Sequence, residues 1–145
     1  MATDDTLRAL EHEMGVLIRR IRRVIAERAR MIHPDLPAVS YLMLSTLNSN
    51  GPARASTLVD TFAIDKGAVS RHVQFLGELG LIERSPDPED KRAALLAITE
   101  EGRRRLAEVS TQRREKVEAM LHDWTDAELE DFVRTLARYN AALEQ

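Results

Sequence analysis

The sequence predicts a mainly α-helical fold that carries one small β-hairpin. Hydrophobic residues make up 43% of the 145 residues and aromatic residues only 4%, so the core must be built from aliphatic side chains, which favours helices. Apolar residues recur at spacings of three and four near both ends of the chain, as they do on one face of a helix. Residues 65–102 differ, since they predict a helix, two short strands around a charged turn, and the start of another helix.

Composition excludes several classes of protein. The chain has no cysteine, which excludes disulfides, thiolate metal sites, cysteine nucleophiles and thiol-based redox sensing. Asp4 and Asp5 stand where a signal peptide would carry basic residues, so no signal peptide is expected. No run approaches the roughly 18 apolar residues of a spanning helix. We therefore expect a cytoplasmic protein with no membrane partner.

The net charge of −3 is unevenly distributed along the chain. Residues 1–53 hold 7 basic and 6 acidic groups, residues 54–105 hold 9 of each, and residues 106–145 hold 5 and 9. The last segment repels phosphate, while the middle one is neutral. Any affinity for nucleic acid must therefore come from local clusters of cations.

The first predicted helix covers residues 5 to about 31. Its apolar stripe is longer than a small lobe needs, so part of it is expected to contact a second chain. The stripe residues predicted at this interface are Leu10, Met14 and Leu17. The arginines between Arg19 and Arg23 form either a solvated flank with i,i+4 partners or a contact with DNA.

Three further helices are predicted in the middle of the chain, at residues 38–48, 54–62 and 66–79. Asp65 stands at the N-cap of the last of these, and Gly80 supplies its C-terminal stop. The pairing of residues 54–62 with 66–79 has the spacing of a helix-turn-helix. On a helical wheel the 66–79 helix has an apolar side, which is expected to face the core, and an opposite polar side.

The second half of the chain begins with the hairpin, whose predicted strands are residues 81–85 and 93–98. A lone hairpin is barely stable, so this one must pack on the helices. A helix beginning at Thr99 is expected to run to about residue 123.

Thr125 and Glu128 form a capping box for the last helix. Its regular apolar stripe needs a partner helix. The residues expected at this second part of the interface are Leu129, Phe132, Leu136 and Tyr139.

Several motifs occur in one order across the middle of the chain. They are DKGAVSR at 65–71, GLIER at 80–84, DPEDKR at 87–92, and the pattern Leu95-x-x-Ile98-Thr99-x-x-Gly102. Together they resemble the winged helix-turn-helix of the MarR family of bacterial transcriptional regulators. The helices on either side also fit, so the resemblance covers nearly the whole chain. The sequence departs from the family at Arg54 and Ala55, where many members have a better N-cap, and at Thr57, where an acidic residue is frequent.

The resemblance implies an obligate homodimer. Residues 1–35 and 100–145 would form an intertwined helical dimerisation region, and residues 36–99 a winged DNA-binding lobe. The 66–79 helix would enter the major groove of DNA. Arg92 on the wing would enter the adjacent minor groove, oriented by Asp90.

Residue chemistry suggests individual roles at this interface. Arg71 can pair bidentately with guanine and Gln74 with adenine, Gly67 allows close approach, and Lys66 suits a phosphate. The residues expected to bind DNA are Lys66, Gly67, Ser70, Arg71 and Gln74 on the helix and Asp90, Lys91 and Arg92 on the wing. The alternatives are a solvated helix face and a surface ion pair between Arg92 and Asp90.

The resemblance also implies a small aromatic or hydrophobic effector, bound between the dimer helices and the winged lobe. Tyr41 and Met43 are expected to form a wall of this pocket, and Arg19 and Arg23 to anchor a carboxylate; the alternative is that Tyr41 and Met43 are core residues. No cofactor is required and no metal site is predicted. No pair of histidines has the spacing of a zinc site on one helix. A site that joins His33 or His122 to carboxylates of other elements stays open.

These observations predict a homodimeric, sequence-specific DNA-binding transcriptional regulator. It would be a ligand-responsive repressor of pseudo-palindromic operators, located in the bacterial cytoplasm on the nucleoid. The alternative is a helical dimerisation or adaptor module that keeps the winged fold but does not bind DNA, which the neutral charge of residues 54–105 favours. No nucleophile–base pair, phosphate-cradling glycine loop or metal-ligand set in the sequence indicates an enzyme.

Overall fold

Residues 1–144, which the computed structural model describes, form six α-helices and one three-stranded antiparallel sheet. In chain order the elements are α1 (Asp4–Ile32), α2 (Ala38–Asn50), β1 (Ala53–Arg54), α3 (Ala55–Phe62), α4 (Lys66–Glu78), β2 (Ile82–Pro86), β3 (Ala94–Ile98), α5 (Glu100–Met120) and α6 (Asp126–Leu143). The predicted fold class is confirmed. The chain divides into two compact units, Met1–Val109 and the residues after Val109, whereas the predicted division into a lobe and a dimerisation region stays a prediction.

The long helix α1 is well capped but buries little of itself. The hydroxyl of Thr3 accepts a hydrogen bond from the Thr6 amide at 3.3 Å. At the other end, the carbonyl of Ile32 accepts from Nη1 of Arg105 at 2.6 Å, so a side chain from α5 satisfies one of the final carbonyls of α1. Ala29 and Ile32 are the buried residues of α1, and both lie in its last turn.

The helix-turn-helix is formed by α3 and α4 as predicted. The carboxylate of Asp65 accepts from the Ala68 amide at 2.8 Å, which begins α4, and Gly80 follows its end with φ 71°. The apolar side of α4 faces the core, where Val69, Val73 and Leu76 are buried. The turn between the two helices contains Ala63 at φ 50°, a left-handed conformation that is strained for a residue with a Cβ.

The sheet has one more strand than the predicted hairpin. Ala53 and Arg54 pair with Leu96 and Leu95 of β3, so β3 is the central strand in the order β1-β3-β2. A two-residue strand has no periodicity that a sequence pattern can reveal. It exists because β3 offers a free edge to the segment that leads into α3.

A close backbone contact joins the segment before β2 to the start of α5. The amide of Thr99 donates to the carbonyl of Leu81 at 2.9 Å, and its hydroxyl donates to the carbonyl of Gly80 at 2.6 Å. The same hydroxyl accepts from the Gly102 amide at 3.1 Å, which caps α5. A Cβ at position 102 would lie 2.4 Å from the Leu81 oxygen and 2.6 Å from Cγ1 of Ile98. The Thr-x-x-Gly pattern is therefore required by a close approach of two backbones.

The C-terminal helices differ from the prediction in one boundary. The helix α5 ends at Met120 rather than near residue 123, because the amide of Trp124 donates to the carbonyl of Leu121 in a turn. The predicted capping box of α6 is present, with Thr125 and Glu128 bonded to each other's amides. No residue of α6 through Leu143 is buried. None of the helices formed by residues 1–144 is long and apolar enough to cross a membrane.

Candidate nucleic-acid interface

The polar face of α4 is open to solvent. Its exposed residues are Lys66, Gly67, Ser70, Arg71 and Gln74. Because Val69, Val73 and Leu76 hold the opposite side in the core, this face projects away from the molecule. The Ser70 hydroxyl and the Arg71 guanidinium are therefore available for hydrogen bonds with another molecule. The Gln74 amide donates to Oε1 of the exposed Glu78 at 3.2 Å, so Gln74 must exchange this bond to contact a base.

A basic cleft of about 370 Å³ lies beside this face and joins α3, α4 and the sheet. Its lining residues are Arg54, Ala55, Ser56, Lys66, Ser70, Val73, Arg84, Arg92, Ala93, Ala94 and Leu96. None of these described residues is acidic. Lys66, Arg84 and Arg92 form no ion pair with any side chain of residues 1–144. Uncompensated positive charge is therefore concentrated here, although residues 54–105 are neutral as a whole.

The wing turn places Arg92 at this cleft through its backbone. The carboxylate of Asp90 accepts from the Arg92 amide at 3.0 Å, and the carbonyl of Asp90 accepts from the Ala93 amide at 3.0 Å. The ion pair between Asp90 and the Arg92 guanidinium, considered from the sequence, does not form within the described chain. Asp90 thus shapes the turn, and the Arg92 side chain remains free. Asp90, Lys91 and Arg92 are all exposed.

Arg54 and Asp87 form an ion pair that the sequence interpretation missed. Nε and Nη2 of Arg54 both lie 2.5 Å from Oδ2 of Asp87. The Asp87 side chain is only 6% exposed. The amide of Glu89 and, after it, the guanidinium of Arg54 hold the pKa of Asp87 below its ordinary value, although burial opposes them. The sequence carries a partial signal, because arginine is a poor N-cap residue, and the Arg54 side chain makes no cap hydrogen bond.

Arg84 is a second missed residue. It lies on β2 opposite Leu96 of β3, is exposed, and lines the basic cleft with Lys66 and Arg92. The sequence placed it correctly on a strand. Only the packing of that strand against α4 shows that its side chain belongs with the recognition surface.

A polar contact anchors α4 to α2. The hydroxyl of Ser40, which is fully buried, lies 2.9 Å from Nδ1 of His72. Burial, with a smaller effect of the neighbouring Arg71 charge, lowers the pKa of His72. A neutral imidazole satisfies the buried hydroxyl, so His72 is a packing residue on the inner flank of α4.

The residues predicted for an effector pocket lie in different environments. Met43 is fully buried and Tyr41 is 4% exposed, and both belong to the core cluster. Arg19 and Arg23 are exposed on α1, where Arg23 lies 3.9 Å from Glu27. In this structure Met43 presents no surface to a ligand, because its position on α2 points it into the core of the first unit.

The predicted interface residues are largely uncovered. Leu10, Leu17 and Phe132 are 42%, 38% and 49% exposed. The partly exposed members of the set are Met14, Leu129, Leu136 and Tyr139. Trp124 packs edge-on against Phe132, with ring centroids 5.7 Å apart.

His33 and His122, the candidates for a metal site, have other contacts. His33 packs edge-on against Phe75, and its Nδ1 accepts from the Asp35 amide. His122 lies beside Asp123 and the carbonyl of Ala119. Across residues 1–144 no three His, Cys, Asp or Glu side chains are grouped so that they could hold a metal ion.

Comparisons with known proteins converge on one family. The sequence profile described as the MarR family matches residues 35–93. An uncharacterized HTH-type transcriptional regulator of Bacillus subtilis, YxaD, is 34% identical over 142 residues, which cover 98% of each chain. The HTH-type transcriptional repressor NicR of Pseudomonas putida is 27% identical over 68% of this chain and 64% of its own. The crystal structure of RV1404 from Mycobacterium tuberculosis superimposes with a TM-score of 0.79 at 22% identity, covering 98% of this chain and 97% of that one.

Proposed function

Because this chain belongs to the MarR family of DNA-binding transcriptional regulators, we propose that it acts as a homodimeric repressor of pseudo-palindromic operators. Each subunit inserts α4 into the major groove and the wing into the adjacent minor groove. Two-fold related half-sites then lie about one helical turn apart.

One observation carries the DNA-binding part of the proposal: the exposed polar face of α4 adjoins a basic cleft. Arg71 and Gln74 carry the hydrogen-bonding groups that pair with base edges in the major groove. Lys66 and Arg84 are suited to phosphates on either side. Arg92 reaches from the wing tip as an unpaired guanidinium, the group that a narrow minor groove attracts.

The homodimer rests on apolar surface that one chain leaves uncovered. Leu7, Leu10 and Ile18 of α1 are each more than 40% exposed, as are Phe132 and Val133 of α6. Exposed apolar side chains along one helix mark a protein interface. A second copy of the chain is the partner that supplies matching stripes, and closed two-fold symmetry is the commonest arrangement of such dimers.

The proposal includes repression of transcription and its release by an effector. NicR, which is similar over much of this chain, is named a repressor. A small aromatic or hydrophobic effector would release DNA if it bound more tightly to a dimer whose lobe spacing does not fit the operator. Met43 is buried, so its part in such a pocket requires a rearrangement of α2. Tyr41, Arg19 and Arg23 remain the other proposed contacts.

The test begins with a duplex selected from a random pool by the wild-type protein. Its dissociation constant is measured by fluorescence anisotropy at several salt concentrations, and the mass of the protein is measured in solution. A dimer mass and a steep linear dependence of log K on log salt are expected. If a folded dimer bound DNA independently of salt or not detectably, the protein would instead be an adaptor module that keeps the winged fold but does not bind DNA.

Arg92→Ala tests the wing. We expect affinity to fall on the order of tenfold and the salt slope to decrease by about 0.9, since one cation leaves the interface. The matched control is Arg138→Ala, which removes an exposed arginine of α6 from the side opposite the apolar stripe. Equal affinity of the two variants at low and high salt would refute a wing contact.

A further inference from the structure

The ion pair between Arg54 and Asp87 joins two segments that are far apart in sequence. Arg54 ends β1 and directly precedes α3, the first helix of the helix-turn-helix. Asp87 follows the last residue of β2, where the wing turn begins. Nε and Nη2 of Arg54 both donate to one oxygen of a nearly buried carboxylate. Such a contact is better defined than an exposed ion pair, because little water competes for the buried acceptor.

The same carboxylate organises the wing turn. Oδ1 of Asp87 accepts from the Glu89 amide at 2.9 Å, while Oδ2 is held by Arg54. The amide of Asp87 donates to the carbonyl of Ala93 at 3.1 Å, so the turn is closed on either side of Asp90, Lys91 and Arg92. Asp87 therefore connects the geometry of the wing tip to the start of α3.

An acid at this place cannot act by touching DNA. Its charge has the same sign as phosphate, and its side chain is 6% exposed beneath Arg54. Arg54 itself lines the basic cleft, and its pairing with Asp87 weakens the positive potential there. Pure electrostatics would therefore make Asp87 unfavourable for DNA binding.

We propose that Arg54 and Asp87 are positioning residues that set the wing tip relative to α4, and that they thereby determine how strongly the protein discriminates the minor-groove width beside each half-site. This inference rests on the proposed function, in which Arg92 enters the minor groove. The groove narrows in A-tracts, and a guanidinium exploits that narrowing only if the turn holds it at the correct distance from α4.

Asp87→Asn is the main test, because a positioning role and a purely electrostatic effect predict opposite changes in operator affinity. The variant keeps the size of the side chain but leaves the Arg54 guanidinium without its anionic partner. Positioning predicts that affinity for an operator with A-tract flanks falls by about tenfold, equivalent to about 1.4 kcal/mol. Electrostatics alone predicts tighter binding, since one negative charge is removed near the phosphates.

Glu89→Gln is the matched control. It removes an exposed acid from the same turn and keeps the backbone amide that donates to Asp87. Affinity is expected to stay the same or increase. Equal changes in the two variants would overturn the inference.

The second measurement compares two classes of operator change. Flanks rich in A·T are replaced by flanks rich in G·C, and separately the most strongly selected base pair at the half-site centre is replaced. Asp87→Asn should flatten the preference for A·T flanks and leave the penalty at the centre unchanged. A variant that was only less stable would lose affinity for all of these duplexes in proportion.

Arg54→Lys keeps the result interpretable if Asp87→Asn fails to fold. It retains the positive charge but replaces the fork of donors by a single ammonium, so the salt slope should not change. We expect a partial loss of flank preference. In the Arg92→Ala background neither substitution should reduce that preference further, because the positioned side chain is gone.

The outcomes separate the inference from the proposed function. If the wild-type protein shows no salt-dependent binding, the proposed function fails. If the wild type prefers A·T flanks and Arg92→Ala removes that preference, but Asp87→Asn and Arg54→Lys keep it, only the positioning role is refuted.

Discussion

Gly102→Ala should unfold the protein at markedly lower denaturant concentration, even though alanine is a better helix former than glycine. Position 102 lies in the first turn of α5 and is buried. A methyl group there would lie 2.4 Å from the carbonyl oxygen of Leu81. Real Cβ contacts are essentially never below 3.0 Å, and the opposing atom belongs to the backbone rather than to a flexible side chain.

The magnitude follows from the two opposing effects. Replacing a helical glycine by alanine gains roughly 0.5–1 kcal/mol of free energy of unfolding. Overpacking of a close contact costs roughly 1–3 kcal/mol. The required shift of the Leu81 carbonyl also disturbs its hydrogen bond with the Thr99 amide, at 2.9 Å, and one such bond contributes about 1 kcal/mol. We therefore expect a net loss of roughly 1–3 kcal/mol.

Urea unfolding followed by far-ultraviolet circular dichroism measures this difference. The concentration of chains is kept constant, because the stability of a dimer depends on it. Gly77→Ala is the matched control, since Gly77 is also helical and a Cβ there would meet no atom within 4 Å. That variant should gain roughly 0.5–1 kcal/mol. If Gly102→Ala were as stable as Gly77→Ala, the close approach of Leu81 to α5 would be refuted.

Two further predictions concern stability. Ala63→Gly should raise the free energy of unfolding by about 1 kcal/mol, because glycine adopts the left-handed conformation at φ 50° without a Cβ clash; an unchanged urea midpoint would show that this turn is unstrained. Hydrogen bonds from Arg104 and then Arg105 lower the pKa of Glu101 from 4.5 to about 2. The ionised Glu101 carboxylate therefore stabilises the fold fully above pH 4.5, and this contribution is lost as the pH falls toward 2. The wild type should lose more free energy of unfolding than Glu101→Gln over that interval. Parallel urea midpoints of the two proteins between pH 5 and pH 2 would contradict this, and salt should reduce the effect because these groups are partly exposed.

Much of the fold follows from local patterns. The apolar stripes of α1 and α6, the cap at Asp65 and the capping box at Thr125 each involve residues within a few positions of one another. Interactions of that range depend on helical geometry alone, so their spacing in the sequence is sufficient. The exposed face of α4 follows in the same way, because burial of one side of a helix determines which side faces solvent.

Other features depend on contacts between distant segments. The strand β1 exists only because β3 lies beside it. Gly102 is required only because Leu81 approaches it. The sequence left Met43 open between a ligand pocket and the core, since an apolar side chain on a mostly buried helix can face either environment, and in this structure Met43 lies in the core.

The sequence by itself determined the family, the helices with their caps, and the polar face of α4, because these depend on residue order and on interactions within one element. Only the tertiary structure decided that Arg84 and Arg92 share a basic cleft with Lys66 and that Arg54 holds Asp87 at the base of the wing. Residues 54–105 have no net charge, yet folding brings several of their cations together in one cleft. The distance between two charges is set by packing across the whole unit, which no local pattern specifies.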